Sequence, residues 1–172
     1  MTSDYPPPPP PPPPPRSGNQ YGQSGAYPPP GGGPQPGGLG LRFAARIIDG
    51  IIVGIIGGII VYVIGQSSNV VITGLFTGVL TFIYFVALEV TQGWTLGKKL
   101  LGLSVHGPAG AAKPDFQQSA IRNSWTLFPI LPFIGGLLGL VAITVIAITI
   151  NSSPTKQGKH DELAGGTQVL KD

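Results

Sequence analysis

The chain has no cysteine, so disulfides and thiolate zinc sites are excluded, and nothing about its redox compartment can be read from thiols. Charge is scarce as well, with Asp, Glu, Lys and Arg making up only 10% of the 172 residues. The N-terminus lacks the basic start and early apolar core of a signal peptide. No serine sits in a recognisable nucleophile motif, and His106 and the His160–Asp161 pair assemble neither a metal site nor a nucleophile with its base. The expectation is therefore a protein that is not an enzyme, with no catalytic residues, no metal and no cofactor.

Proline and apolar residues are plentiful, and they divide the chain in two. Residues 1–40 hold most of the 20 prolines, including the unbroken run Pro6 to Pro15, and carry almost nothing to bury. Such a tail cannot offset the entropy of ordering itself, so it reads as disordered, with the proline run favouring a polyproline II rod about 30 Å long. A rod of this kind loses little entropy on docking, which makes a proline-binding domain one expected partner and a solvated spacer the plainer alternative. Residues 41–170 crowd Ile, Val, Leu and Phe into membrane-length stretches. The expected fold is an all-α membrane protein, a small polytopic helical bundle of three to four membrane elements. The net charge of +3 comes from basic residues flanking apolar segments, without interleaved aromatic platforms. The lipid bilayer, and not nucleic acid, is the expected surface.

The first span reads as 43–64, broken only by Arg46 and Asp49, and at 1.5 Å per residue its 22 residues cover roughly 33 Å. The second reads as 70–90 and carries Glu89 at its far end. Arg42 and Arg46 stand at the mouth of the first span and Lys98, Lys99, Lys113 and Arg122 follow the second, so the positive-inside rule places both ends in the cytoplasm of a plasma-membrane protein. The third apolar region admits two parses. One is a single pass from Leu127 to Ile150. The other is a short re-entrant or interfacial helix at 116–130 that turns at Pro129 and Pro132, followed by a return span at 133–150. The second keeps the C-terminus cytoplasmic and is favoured, although Gln117, Gln118, Arg122 and Asn123 must then face protein or snorkel.

On a helix, Arg42, Arg46 and Asp49 fall within about 60° of arc, a charged stripe descending into the membrane. An unpaired carboxylate in lipid costs several kcal/mol, so Asp49 must pair with Arg46, take a proton, or meet a group on another element. Glu89, Lys98 and the tail around His160 and Asp161 are the candidates. A structural salt bridge and a transport role both follow from this placement. Gly50, Gly54 and Gly58, with Gly74–Gly78 and Gly135–Gly139, have the spacing of close helix packing within the chain. Thr73, Thr77, Thr81 and Tyr84 share one side of the second span, where hydroxyls bond to a preceding turn or a neighbouring helix more often than they line a path. Gly93 to Lys99 is one residue short of a phosphate-binding loop and follows no strand. Trp94 with Lys98 and Lys99 instead suits an anchor at the headgroups.

Three separated segments, Arg42–Asp49, Thr95–Leu103 and Lys159–Gly165, together resemble the RDD family of small membrane proteins. The one arginine and two aspartates of that family match Arg42, Asp49 and Asp161 by position, with Arg46 an extra charge and Glu89, Lys98, Lys99 and His160 as supporting residues. The segment from Val105 to Lys113 departs from the family pattern. The proline-rich leader looks like that of mycobacterial-type proline-rich antigens. The resemblance implies no settled activity, and transport of unidentified solutes or ions has been suggested for the family. The preferred reading is a non-enzymatic membrane interaction or assembly module that engages a membrane protein partner or itself. The alternative is a small transporter or cation/proton exchanger using Asp49, with Glu89 or Asp161 as relay.

Overall fold

The structure is a computed structural model describing residues 34–65 and 68–171. The expectations for the proline run lie outside the described residues. Three helices are long and apolar enough to cross a membrane: α1 (Leu39–Val63), α2 (Val70–Gln92) and α5 (Gly135–Ser152). The all-helical expectation holds for the bulk of the chain, and short pieces join and cap the spans. These are α3 (Leu96–Leu100), α4 (Phe116–Asn123), α6 (Lys159–Leu163), and strands β1 (Gln35–Pro36), β2 (Leu103–His106) and β3 (Gln168–Lys171).

Local chemistry sets the boundaries. α1 ends at Val63, and Gly65, at a φ of +70°, turns the chain away from it. α2 starts where the Asn69 side chain accepts hydrogen bonds from the amides of Val71 (3.1 Å) and Ile72 (3.2 Å). It stops at Gly93, left-handed at φ +77°. α4 opens on a capping box in which the Gln118 amide donates to Asp115 Oδ1 at 2.8 Å and the Asp115 amide donates to Gln118 Oε1 at 3.0 Å.

The third apolar region follows the two-element parse. After α4 the chain tightens into a 3-10 turn over Ser124–Ile130, reverses through Leu131–Ile134 and returns as α5. Small residues permit this reversal. A Cβ at Gly74 of α2 would collide with the Pro129 carbonyl oxygen, and one at Gly135 with that of Phe128. The tip therefore packs beside the first turns of α2, at the end of the bundle where α2 begins. Phe133 sits there at φ +66°, a strained conformation for a bulky side chain, and is 93% exposed.

Both ends of the described domain meet at the opposite end of the bundle. β3 pairs antiparallel with β1 on one side and β2 on the other, with Pro36 opposite Leu170 and Val105 opposite Val169. Ala45, Leu103, Val105 and Val169 form a small buried apolar core there. This three-stranded sheet is an addition to the helical expectation, since strands of two to four residues leave little periodic signal.

The glycine pattern divides. Gly74, Gly78 and Gly135 make close contacts inside the chain, whereas Gly50, Gly54, Gly58 and Gly139 have no atom within 4 Å of where a Cβ would stand. In α1 the close approach is at Gly57, beside Leu80 at 3.6 Å. The packing expected of Gly50, Gly54 and Gly58 is thus corrected: their face of α1 is open.

Candidate charge cluster

Asp49 is fully buried and, among the described residues, makes no ion pair; of the three outcomes open to it, it meets groups on other elements. Its Oδ1 accepts from the Tyr84 hydroxyl at 2.7 Å and from the Gly97 amide at 2.7 Å, and its Oδ2 accepts from the Thr95 hydroxyl at 2.6 Å. One carboxylate therefore ties α1 to α2 and to the first turn of α3. The approach requires glycine, because a Cβ at Gly97 would overlap the Ala45 carbonyl oxygen and stand 2.9 Å from the Asp49 carboxyl carbon. Arg46 points elsewhere, its guanidinium lying 3.7 Å from the Phe85 ring centre and 4.4 Å from that of Trp125.

The other two acids share a basic residue. Glu89, fully buried near the end of α2, is held by the Lys98 ammonium, by Ser119 Oγ and Asn123 Nδ2 at 2.9 Å each, and by Arg122 Nε at 3.7 Å. Arg122 reaches across to Asp161, its NH1 lying 2.6 Å from Oδ1. Asp161 is also fully buried, and its Oδ2 meets Arg42 NH1 at 3.0 Å and accepts from the Gly158 amide at 3.0 Å. Arg42 continues the connection by donating to the carbonyl oxygens of Gly37 (2.8 Å) and Val169 (3.3 Å). The sequence Lys98, Glu89, Arg122, Asp161, Arg42 is one line of alternating charge through α3, α2, α4, α6 and α1. Each carboxylate lies between cations, the arrangement that makes buried ions tolerable.

Outside the spans, three titrating groups register this field. Burial alone would raise the Asp161 carboxyl, but Arg122, His160 and Arg42 outweigh it and hold it at about 2. Burial pulls the Lys98 ammonium down to about 8 even though Glu89 raises it. Burial likewise lowers His160 to about 3, so its ring is neutral at physiological pH despite Asp161 at 3.6 Å. The His160 Nδ1 is buried with no hydrogen-bond partner.

Arg42, Asp49 and Asp161 thus reach the same end of the bundle, with Arg42 and Asp161 in direct contact and Asp49 in a separate set of hydrogen bonds. Glu89, Lys98 and His160 lie in or against the network. Lys99 does not, since it is exposed and stacked on Trp94 at 5.1 Å from the ring centre. Lys98 corrects the anchor reading for the same pair: its ammonium turns inward to Glu89 because that carboxylate has no other route to neutralisation on its own helix. Arg122 is the residue whose role the sequence reading missed. Its signal was the spacing of Ser119, Arg122 and Asn123, which puts three polar groups on one face of a short helix. Of the threonines, Thr81 donates to the Thr77 carbonyl at 2.6 Å, and Thr73 Oγ1 is buried without a partner.

One cavity borders the network and a second lies far from it. The first, of about 140 Å³, lies between the start of α1, Trp125 and the last turns of α5, and Arg42, Arg46, Lys98 and Arg122 all line it. The other, of about 470 Å³, lies by the reversal at the opposite end and is lined by Ser68, Thr73, Thr77, Pro132 and Phe133 among others. Asp49, Glu89 and Asp161 line neither. Among the described residues no group of three or more His, Asp or Glu side chains is placed to hold a metal ion.

Comparison with known families matches the chain to the RDD family over residues 36–165. Neither the curated proteins nor the solved structures give a match.

Proposed function

The chain belongs to the RDD family, and we propose that it is a non-enzymatic membrane interaction or assembly module rather than an ion exchanger. One observation carries this reading: each acid at membrane depth is fully buried, bonded to fixed groups on other elements, and absent from both cavities. An exchanging carboxylate must open to solvent and trade its partners. Asp49 would have to release a tyrosine, a threonine and a backbone amide together, and so unpack α3 from α1. The network serves instead as a scaffold that clamps the ends of the spans and leaves their apolar flanks to lipid or to a neighbouring protein. Location in the plasma membrane with both ends cytoplasmic is supported by Arg42, Arg46, Lys98, Lys99, Lys113 and Arg122, which gather by sequence at the end where β1 and β3 pair. The proline-rich segment is the arm that engages the partner.

Purified protein in liposomes should pass no cation in response to an imposed pH or ion gradient. Flux that disappears in a folded Asp49→Asn variant would establish the exchanger instead. In native membranes, photocrosslinkers along the segment before residue 34 should capture one partner, and removal of residues 1–33 should abolish its association while β1 is kept. Labelling of abundant neighbours alone would rule out the arm.

A further inference from the structure

The smaller cavity has an unusual electrostatic make-up. Four cations line it and no carboxylate does. Arg42 and Arg122 are engaged by Asp161, and Lys98 by Glu89, all through carboxylates held outside the cavity wall. Counting the cluster, four cations (Arg42, Arg46, Lys98, Arg122) against three acids (Asp49, Glu89, Asp161) leave 4 − 3 = +1. Of the four, Arg46 is the cation whose guanidinium, among the described residues, forms no ion pair or hydrogen bond and lies over the Phe85 and Trp125 rings. A guanidinium offers five N–H donors, and in a low-dielectric setting donors left without an acceptor are costly. An anion in the cavity would supply one.

The rest of the wall decides what kind of anion. Phe43 from α1 and Ile143, Ile146, Ala147 and Ile150 from α5 complete the lining, and Phe43 and Ile143 are also exposed, 57% and 41%, on helices that span the membrane. The basic end of the cavity is thus continuous with an apolar wall open to acyl chains. We propose that this cavity binds the headgroup of an anionic phospholipid, the phosphodiester accepting from Arg46 and the acyl chain lying along Ile143, Ile146 and Ala147. One phosphodiester carries one negative charge, matching the excess of one cation. A soluble phosphate would match the basic end but leave the apolar wall unused. The lipid site does not depend on whether a protein partner exists.

The test uses the full chain purified in neutral detergent and native mass spectrometry during titration with phosphatidylglycerol, phosphatidylcholine or inorganic phosphate. Phosphatidylglycerol should bind about tenfold more tightly than phosphatidylcholine, and Arg46→Gln should remove that preference, since a charge-assisted hydrogen bond is worth about that factor. Lys99→Gln, which removes an exposed cation outside the cavity, should leave it intact. Should Arg46→Gln fail to fold, Ala147→Trp decides: it fills the apolar wall without changing charge and should lose the lipid as well. Equal binding of the two lipids, or undiminished phosphatidylglycerol binding in either folded variant, would overturn the proposal. Displacement of bound phosphatidylglycerol by millimolar phosphate would also overturn it, by assigning the basic end to a free anion.

Discussion

Replacing Arg122 with leucine should unfold this domain more readily than any substitution at the three residues that give the family its signature would suggest from sequence. Arg122 is 3% exposed, sits 2.6 Å from Asp161 and 3.7 Å from Glu89, and donates to the Thr167 hydroxyl at 3.2 Å. Leucine fills much of the volume, so packing loss is small and the cost is electrostatic. Removing one partner of a buried ion pair costs about 3–5 kcal/mol, because the remaining charge stays desolvated. Asp161 keeps Arg42 and Glu89 keeps Lys98, which places the expected loss toward the lower end, at about 3 kcal/mol. Equilibrium unfolding in detergent, followed by Trp125 fluorescence beside the site, measures it. A double-mutant cycle with Asp161→Asn should return a coupling of about 1–3 kcal/mol, since the two side chains are in direct contact within one network. A loss below about 1 kcal/mol for Arg122→Leu, or additivity in the cycle, would refute the view that the line of charges is buried and continuous.

The remaining expectations follow from the same geometry. Gly97→Ala should destabilise by at least about 1–3 kcal/mol, the usual cost of overpacking, because its Cβ would press on Ala45 and Asp49; unchanged thermal stability would contradict the contact between α1 and α3. Acid should lower the stability of the fold in two pH windows. His160 takes up its proton in the unfolded chain near its ordinary 6.5 but in the fold only near 3, so stability falls as pH drops through that window. Asp161, held at about 2 against an ordinary 3.8, keeps its contribution above about pH 4 and loses it as pH falls from there toward 2. His160→Gln should flatten the first window in a pH titration of unfolding free energy, and an unaltered slope between pH 4 and 6 would show that the ring is not held neutral.

What the sequence made legible was set by range. The spans are readable because twenty apolar residues in a row need no partner to be recognised, and the prolines after Thr126 announce the reversal by removing helix donors. The stripe of Arg42, Arg46 and Asp49 is equally readable, as helix geometry fixes it locally. Who answers each charge is not local. Asp49 finds Tyr84, Thr95 and Gly97 across 35 to 48 residues, and Arg42 finds Asp161 across 119. Proximity along the helix favours Arg46 for Asp49, but the Phe85 and Trp125 faces compete for that guanidinium. Lys98 reads as a headgroup anchor beside Lys99, yet adjacent residues on a helix point about 100° apart, and only one of them can face Glu89. The open face of Gly50, Gly54 and Gly58 carries the same spacing as a packed one, since spacing records which residues share a face and not what covers it.

Both ends of the domain must lie at one membrane face, because only then can Arg42 meet Asp161 and β1 pair with β3. The absence of native cysteine makes this measurable with single-cysteine variants and a membrane-impermeant thiol reagent in sealed vesicles of known orientation. Gln35→Cys and Lys171→Cys should label from the same side, and Ser68→Cys, between α1 and α2, from the other. Labelling of Gln35→Cys and Lys171→Cys from opposite sides would contradict the charge network outright.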